Sequence, residues 1–192
     1  MIESLEDYKY YCGRDKKALG VSRKYPRIVG DEIWKYEILL RKQEYLSNCN
    51  PFLAKIRLLV CRFFRHRLAL KCGGIQIPIN VFEEGLAIVH YGCIVVSSGA
   101  RIGKNCRIHE GVTIGSTNHE KEAAQIGDNC FIGSGAKIIG KIMIGNEVAI
   151  GAGAVVVKSF GNHMTIAGVP ARKISDNSSR LNHNEELLMN NE

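Results

Sequence analysis

Residues 126–156 read IGDNCFIGSGAKIIGKIMIGNEVAIGAGAVV, and this stretch decides the fold. An aliphatic side chain returns at Ile126, Ile132, Ile138, Ile144, Ile150 and Val156, a strict count of six. Upstream, Ile102, Ile108 and Ile114 keep the same count, and the gap from Ile114 to Ile126 is two sixes. Most of these residues are followed by glycine, as in Ile102-Gly103, Ile132-Gly133 and Ile150-Gly151, with a small residue such as Ala136 or Ala154 three places after the glycine. An α-helix turns about 600° over six residues and would scatter these positions over opposite faces. A flat sheet alternates at two. A period of six suits a short strand and a sharp bend, three of which close a triangular coil that stacks its aliphatic residues on the coil below. Glycine then supplies the positive φ of tight corners. Such an array is a solenoid, each coil needing its neighbours to bury its interior.

Outside the array the pattern changes. Residues 1–72 read as helical. Asp31-Glu32-Ile33-Trp34 has the form of a capped helix start, followed by Ile33, Tyr36, Leu39 and Leu40 at helical spacing. Pro51 opens a second segment, 52–71. Its Ile56, Leu59, Val60, Phe63, Phe64 and Leu68 alternate with Lys55, Arg57, Arg62, Arg65, Arg67 and Lys71. A basic amphipathic helix of this kind lies on an anionic membrane or packs on the next domain or a neighbouring subunit. Gly73-Gly74 ends it. Within the array, residues 116–124 are polar and lack an isoleucine at 120, which marks a loop thrown out from one coil. Residues 175–192 are rich in Asn, Ser and Glu and read as a frayed tail. The expected division is a helical region 1–72, a β-domain 73–174 and a tail 175–192.

Composition narrows the partners. The net charge of +7 favours anionic ones, a phosphorylated cofactor among them. No basic stripe interleaves with aromatic residues as single-strand binders require, so nucleic acid is not expected. The seven cysteines are odd in number and include no C-x-x-C pair, which argues against a zinc or redox motif. The acidic start, Met1 to Asp7, has no basic and apolar leader. Free thiols in a reducing cytoplasm are the expectation.

Four segments carry a resemblance: Gly85-Leu-Ala-Ile-Val-His90-Tyr-Gly-Cys-Ile-Val-Val96, Ala100-Arg-Ile-Gly-Lys-Asn-Cys-Arg-Ile108, Gly111-Val-Thr-Ile-Gly115, and the closing Ile166-Ala-Gly-Val-Pro-Ala-Arg172. Residues 74–174 resemble the hexapeptide-repeat acyltransferases, and within them the serine acetyltransferases and their sugar-acetylating relatives. The resemblance implies a left-handed parallel β-helix, acetyl-CoA as cosubstrate, no metal, and a homotrimer with active sites in grooves between neighbouring subunits. It makes His90 the general base. A neutral imidazole, with an ordinary pKa of about 6.5, can take the proton of an attacking hydroxyl. Gln76 matches the place one coil earlier where serine acetyltransferases carry an aspartate, and its carbonyl can accept the Nδ1 proton.

His109 follows Ile108 where most coils have glycine, and either contacts the acceptor or is solvated. His119, in the excursion loop, either reaches the site or is a loop histidine. For the cofactor, Gly115, Ser134, Gly135, Ala136, Ala152 and Gly153 are small enough for a pantetheine arm to approach. Lys158, Arg172 and Lys173 are candidates for its phosphates, each otherwise an ordinary surface charge.

The chain departs from serine acetyltransferases in charge. Val89 stands where they have an aspartate before the histidine, and the excursion loop ends Ala123-Ala124-Gln125 instead of in an Arg-His pair. A free amino acid needs a carboxylate for its ammonium and a cation for its carboxylate. Glu83, Glu84 or Glu110 can substitute, but nothing in the sequence places them. The expected acceptor is therefore a neutral sugar of a surface polysaccharide or its precursor. L-serine is the alternative, and a non-catalytic trimeric scaffold a second.

Overall fold

The computed structural model describes residues 1–49, 54–117 and 122–179. His119, the residues around Pro51 and the tail from residue 180 lie outside them. Among the described residues, three helices precede the strands: α1 (Leu5–Ala18), α2 (Glu32–Asn48) and α3 (Ala54–Lys71). Helix α2 starts where the sequence places it, yet the Asp31 side chain makes no capping bond. Its carboxylate instead accepts from the Arg27 amide at 2.9 Å and pairs with Arg23, tying down the preceding segment.

The strands form three parallel faces. The first stacks β1 (Ile75–Gln76), β3 (Ile94–Val96), β6 (Thr113–Gly115), β9 (Lys137–Ile139) and β12 (Val155–Val156). The second stacks β4 (Arg101–Ile102), β7 (Gln125–Ile126) and β10 (Met143–Ile144). The third stacks β2 (Ala87–Ile88), β5 (Arg107–Ile108), β8 (Phe131–Ile132), β11 (Val148–Ile150) and β13 (Met164–Gly168). There β14 (Ala171–Ser175) adds antiparallel to β13 and closes the end. The chain visits the faces in turn, which is the left-handed parallel β-helix.

Register explains the count of six. Ile102 stacks on Ile126 and Ile126 on Ile144; Ile108, Ile132 and Ile150 form a second column; Ile114, Ile138 and Val156 a third. All nine are at most 4% exposed, so each face contributes one aliphatic column to a single core. Two residues before most of them, a smaller inner set (Ala100, Cys106, Ala124, Cys130, Ala136 and Ala154 among them) is equally buried. Cys106 and Cys130 serve as small apolar fillers, and burial pushes the Cys130 thiol up to about 12.

The glycines differ from expectation. None of the glycines after Ile102, Ile126, Ile132, Ile144 and Ile150 has positive φ. They are required because the next coil passes close. A Cβ on Gly127 would lie 2.2 Å from Asn146 Oδ1 and 2.8 Å from the Gly145 carbonyl carbon. The left-handed corners fall to other residues. On one edge these are Asn105, Asn129, Glu147 and His163, with φ of 54–57°. Their side chains and those beside them form ladders: Asn105 Nδ2 donates to Asn129 Oδ1 at 2.9 Å, and the Asp128 amide donates to Asn146 Oδ1 at 2.8 Å.

The helices cap the first coil through a buried polar hub. Arg41 of α2 is fully buried and donates to both carboxylate oxygens of Asp15 (2.7 and 3.2 Å), to Glu44 (3.0 Å), and to the carbonyls of Phe82 (2.8 Å) and Glu83 (2.7 Å). Asp15 in turn accepts from the amides of Gly85 and Leu86, and Glu37 from that of Ile88. These side-chain oxygens satisfy amides of the first coil that have no preceding coil to bond.

Candidate active site

The edge between the third and first faces is regular in three coils. From Ile108 to Ile114, Ile132 to Ile138, and Ile150 to Val156 the chain takes six residues and turns on a left-handed glycine, Gly111, Gly135 or Gly153. In the first coil the register runs Ile88 over Ile108 and Val96 over Ile114. The step from Ile88 to Val96 is eight residues, two more than below. The surplus lies in His90-Tyr91-Gly92-Cys93, which is why the Gly111 amide donates to Cys93. His90 is pushed out of the wall and is exposed.

Three side chains gather there. The rings of His90 and His109 lie 5.5 Å apart, edge to face, and His109 packs on Phe131 at 5.0 Å. Glu110 lies beneath Gly92, whose added Cβ would stand 2.5 Å from the Glu110 Cβ. One donor atom each from His90, His109 and Glu110 falls within 4.8 Å of the other two. Burial, helped by Arg107, lowers the pKa of His109 and favours its neutral form. The Ser134 hydroxyl, on the coil below, holds the pKa of the Glu110 carboxyl down, and Glu110 Oε2 is buried without a hydrogen-bond partner. His109 Nε2 is buried without a partner. The arrangement offers a solvent-reachable imidazole beside a fixed negative charge.

Helix α2 braces this corner. Glu32 accepts from Tyr91 Oη at 2.6 Å and from Lys71 Nζ at 2.7 Å, and with Lys71 as the larger influence its pKa falls to about 2. The Gly92 amide donates to the Cys72 carbonyl at 2.7 Å. The sequence reading passed over Glu32 and Tyr91, although Tyr91 adjoins the histidine.

The other expected residues are dispersed. Gln76 pairs with Val95 in the middle of the first face and is exposed. It makes no hydrogen bond to His90 and lines a groove of about 340 Å³ with Tyr36, Arg62, Arg65 and His66. Its place one coil earlier in sequence falls on a face, whereas His90 sits on an edge. Ser134 and Gly135 lie on the His90 edge, and the Gly135 amide donates to the Glu110 carbonyl; Ala152 and Gly153 follow one coil below. Gly115 ends β6 on the adjoining face, opposite Ile139. The Ala136 side chain points into the core. Lys158 lies over the Phe160 ring, and Arg172 and Lys173 belong to β14, where Lys173 pairs with Asp176.

Comparison with known proteins follows the same lines. The bacterial transferase hexapeptide (six repeats) family matches residues 123–158. The chain is 35% identical over 134 residues to a serine acetyltransferase of Bacillus pumilus, covering 68% of this chain and 58% of that protein. It is 34% identical over 155 residues to a serine acetyltransferase of Staphylococcus xylosus, covering 78% and 65%. A solved serine acetyltransferase in complex with CoA matches with a TM-score of 0.70 at 25% identity, over 88% of this chain and 71% of that one. The chain thus spans about three fifths of the length of the two curated relatives. By its repeat and its coil geometry it is a hexapeptide-repeat β-helix, and it is similar over most of its length to serine acetyltransferases.

Proposed function

We propose that this chain is an acetyl-CoA-dependent O-acetyltransferase with His90 as general base. The observation that carries the proposal is the over-long edge that exposes His90 beside the ionised Glu110, in a fold similar to serine acetyltransferases. The acceptor hydroxyl attacks the acetyl carbonyl and passes its proton to the imidazole. The C–S bond breaks, and the proton returns to the departing thiolate. Backbone amides of the Ser134-Gly135 and Ala152-Gly153 corners and of Gly115 are close-approach points for the pantetheine arm. Lys158, Arg172 and Lys173 are the cations offered to its phosphates. Gln76 has no part in orienting His90 in this mechanism. His109, neutral and packed on Phe131, forms one wall for the acceptor.

The favoured acceptor is L-serine rather than a sugar. The sugar expectation rested on a missing carboxylate for the ammonium of serine and a missing cation for its carboxylate; Glu110 beside His90 is a carboxylate suited to the first. Arg107, two residues before His109 and close enough to depress its pKa, is a cation for the carboxylate. The relatives, named as serine acetyltransferases, fit this choice. The working unit is a homotrimer in the cytoplasm with the His90 edge against a neighbouring subunit. No helix among the described residues is long and apolar enough to cross a membrane. Its mass in solution should be three times the 21.3 kDa of the chain by light scattering.

The test is thiol release from acetyl-CoA against L-serine and a panel of sugars and sugar nucleotides. Release with serine, lowered about 10²–10⁴-fold by His90→Ala, is the expected outcome. Release with a sugar alone would move the acceptor, and none with any hydroxyl would leave a scaffold. The three donors at the site are of metal-binding type, so dialysis against EDTA belongs in the same assay, and turnover should be unchanged by it.

A further inference from the structure

Helix α3 has two apolar faces, and only one of them meets the protein. Cys61, Ala69 and, just past the helix, Cys72 are buried, with Leu68 packed against the core. At 100° per residue, Ile56, Leu59, Val60, Phe63, Phe64 and Leu70 fall on the opposite side within an arc of about 140°. They are between 48% and 74% exposed. Cations border this stripe on both sides, Lys55 and Arg62 on one and Arg57 on the other, with Arg67 inside it; Lys71, also inside the arc, is already paired with Glu32. The helix contains no acidic residue. The apolar surface continues onto the segment before α2, where Tyr25 (70% exposed) and Ile28 (98%) face Ile56, Val60 and Phe64 across a groove of about 1020 Å³. Lys35, Lys42 and Arg57 stand around that groove.

We infer that this face docks on an anionic lipid bilayer, α3 lying in the plane of the interface. Leaving six large apolar side chains in water along about 21 Å of helix is unfavourable, and an occupant must cover them. Charge selects which one. A second copy of this face would set cations against cations with no carboxylate between them. A bilayer with anionic headgroups accepts the apolar stripe among its acyl chains and the flanking Lys and Arg at headgroup level, their stems reaching outward. The inference is independent of the acetyl-transfer reading, since the exposed apolar residues and Lys55, Arg57, Arg62 and Arg67 stand apart from the His90 edge.

The experiment is co-sedimentation of the full chain with phosphatidylcholine vesicles, with and without phosphatidylglycerol, at low and high salt. Binding is expected only with the anionic lipid and should fall steeply in high salt. Arg62→Gln with Arg67→Gln should lower partitioning about fivefold per charge removed. Leu59→Ser with Phe63→Ser should lower it at unchanged charge. These side chains are exposed, so far-UV circular dichroism and His90-dependent thiol release should match the parent and show the fold intact. Absence of vesicle binding, equal binding to neutral vesicles, or binding indifferent to both variants overturns the inference. A drop in sedimentation mass for Leu59→Ser/Phe63→Ser would also overturn it, by assigning the face to a second copy.

Discussion

Glu110 acts on its surroundings through position rather than chemistry of its own. It sits where the coil below supplies a Ser134 hydroxyl and the coil above supplies a bare Gly92, so its carboxylate is fixed and charged next to His90. If that charge receives the ammonium of serine, Glu110→Gln should raise the KM for L-serine at least tenfold and leave the KM for acetyl-CoA within twofold, the loss of one charge-assisted bond costing roughly 1.5–3 kcal/mol. His109 offers a direct check on the local field. Arg107 depresses its pKa, so Arg107→Met should shift the His109 titration upward, as followed by NMR. That His90 stands off the regular register was legible in the sequence, because its segment breaks the count of six. Glu110 was not, since its meaning depends on stacking of residues twenty apart. Gln76 was misplaced because a position one coil earlier does not say whether a residue sits on a face or an edge.

Within the coil, the Ile-Gly pairs were legible as a period and misread as a cause. The count of six fixes three aliphatic columns whatever the glycines do. The close approach of successive coils, visible only once they stack, is what excludes a side chain after Ile126. Gly127→Ala would place a Cβ within 2.8 Å of backbone that has nowhere to move, and should cost about 1–3 kcal/mol in urea unfolding. Helix α3 shows the complementary difficulty. Its basic amphipathic pattern is plain in the sequence, but two apolar arcs on one helix blur into a single hydrophobic run. Helix α2 hides its role for another reason: Glu37, Arg41 and Glu44 share one helical face and look like a solvated charged stripe, yet all three are buried.

For the molecule as a whole, that stripe joins the helices to the β-helix. Arg41→Met would leave Asp15 and Glu44 buried without their cation and should destabilise the chain by about 3–5 kcal/mol, measured by denaturant titration. Glu37 sets a pH dependence. Burial, reinforced by Asp15, raises its pKa well above that of an exposed glutamate. The folded state therefore holds a proton that the unfolded chain releases above about 4.5. That contribution to stability is complete below this pH and declines as pH rises toward the folded value. Glu37→Gln should flatten the dependence, gaining most on the parent at alkaline pH and least near pH 5 in thermal melts.

One coil occupies eighteen residues, as the steps from Ile126 to Ile144 and from Ile132 to Ile150 show, while Ile102 to Ile126 takes twenty-four. A change of length is therefore felt modulo a whole turn. Duplicating or excising eighteen residues slides everything downstream along the axis by one strand spacing, about 4.8 Å, and preserves each side chain's bearing. Losing the six-residue surplus between Gly115 and Ala123 should be silent to the prism. A three-residue deletion within a wall would set an outward-facing side chain on the inner face of that coil.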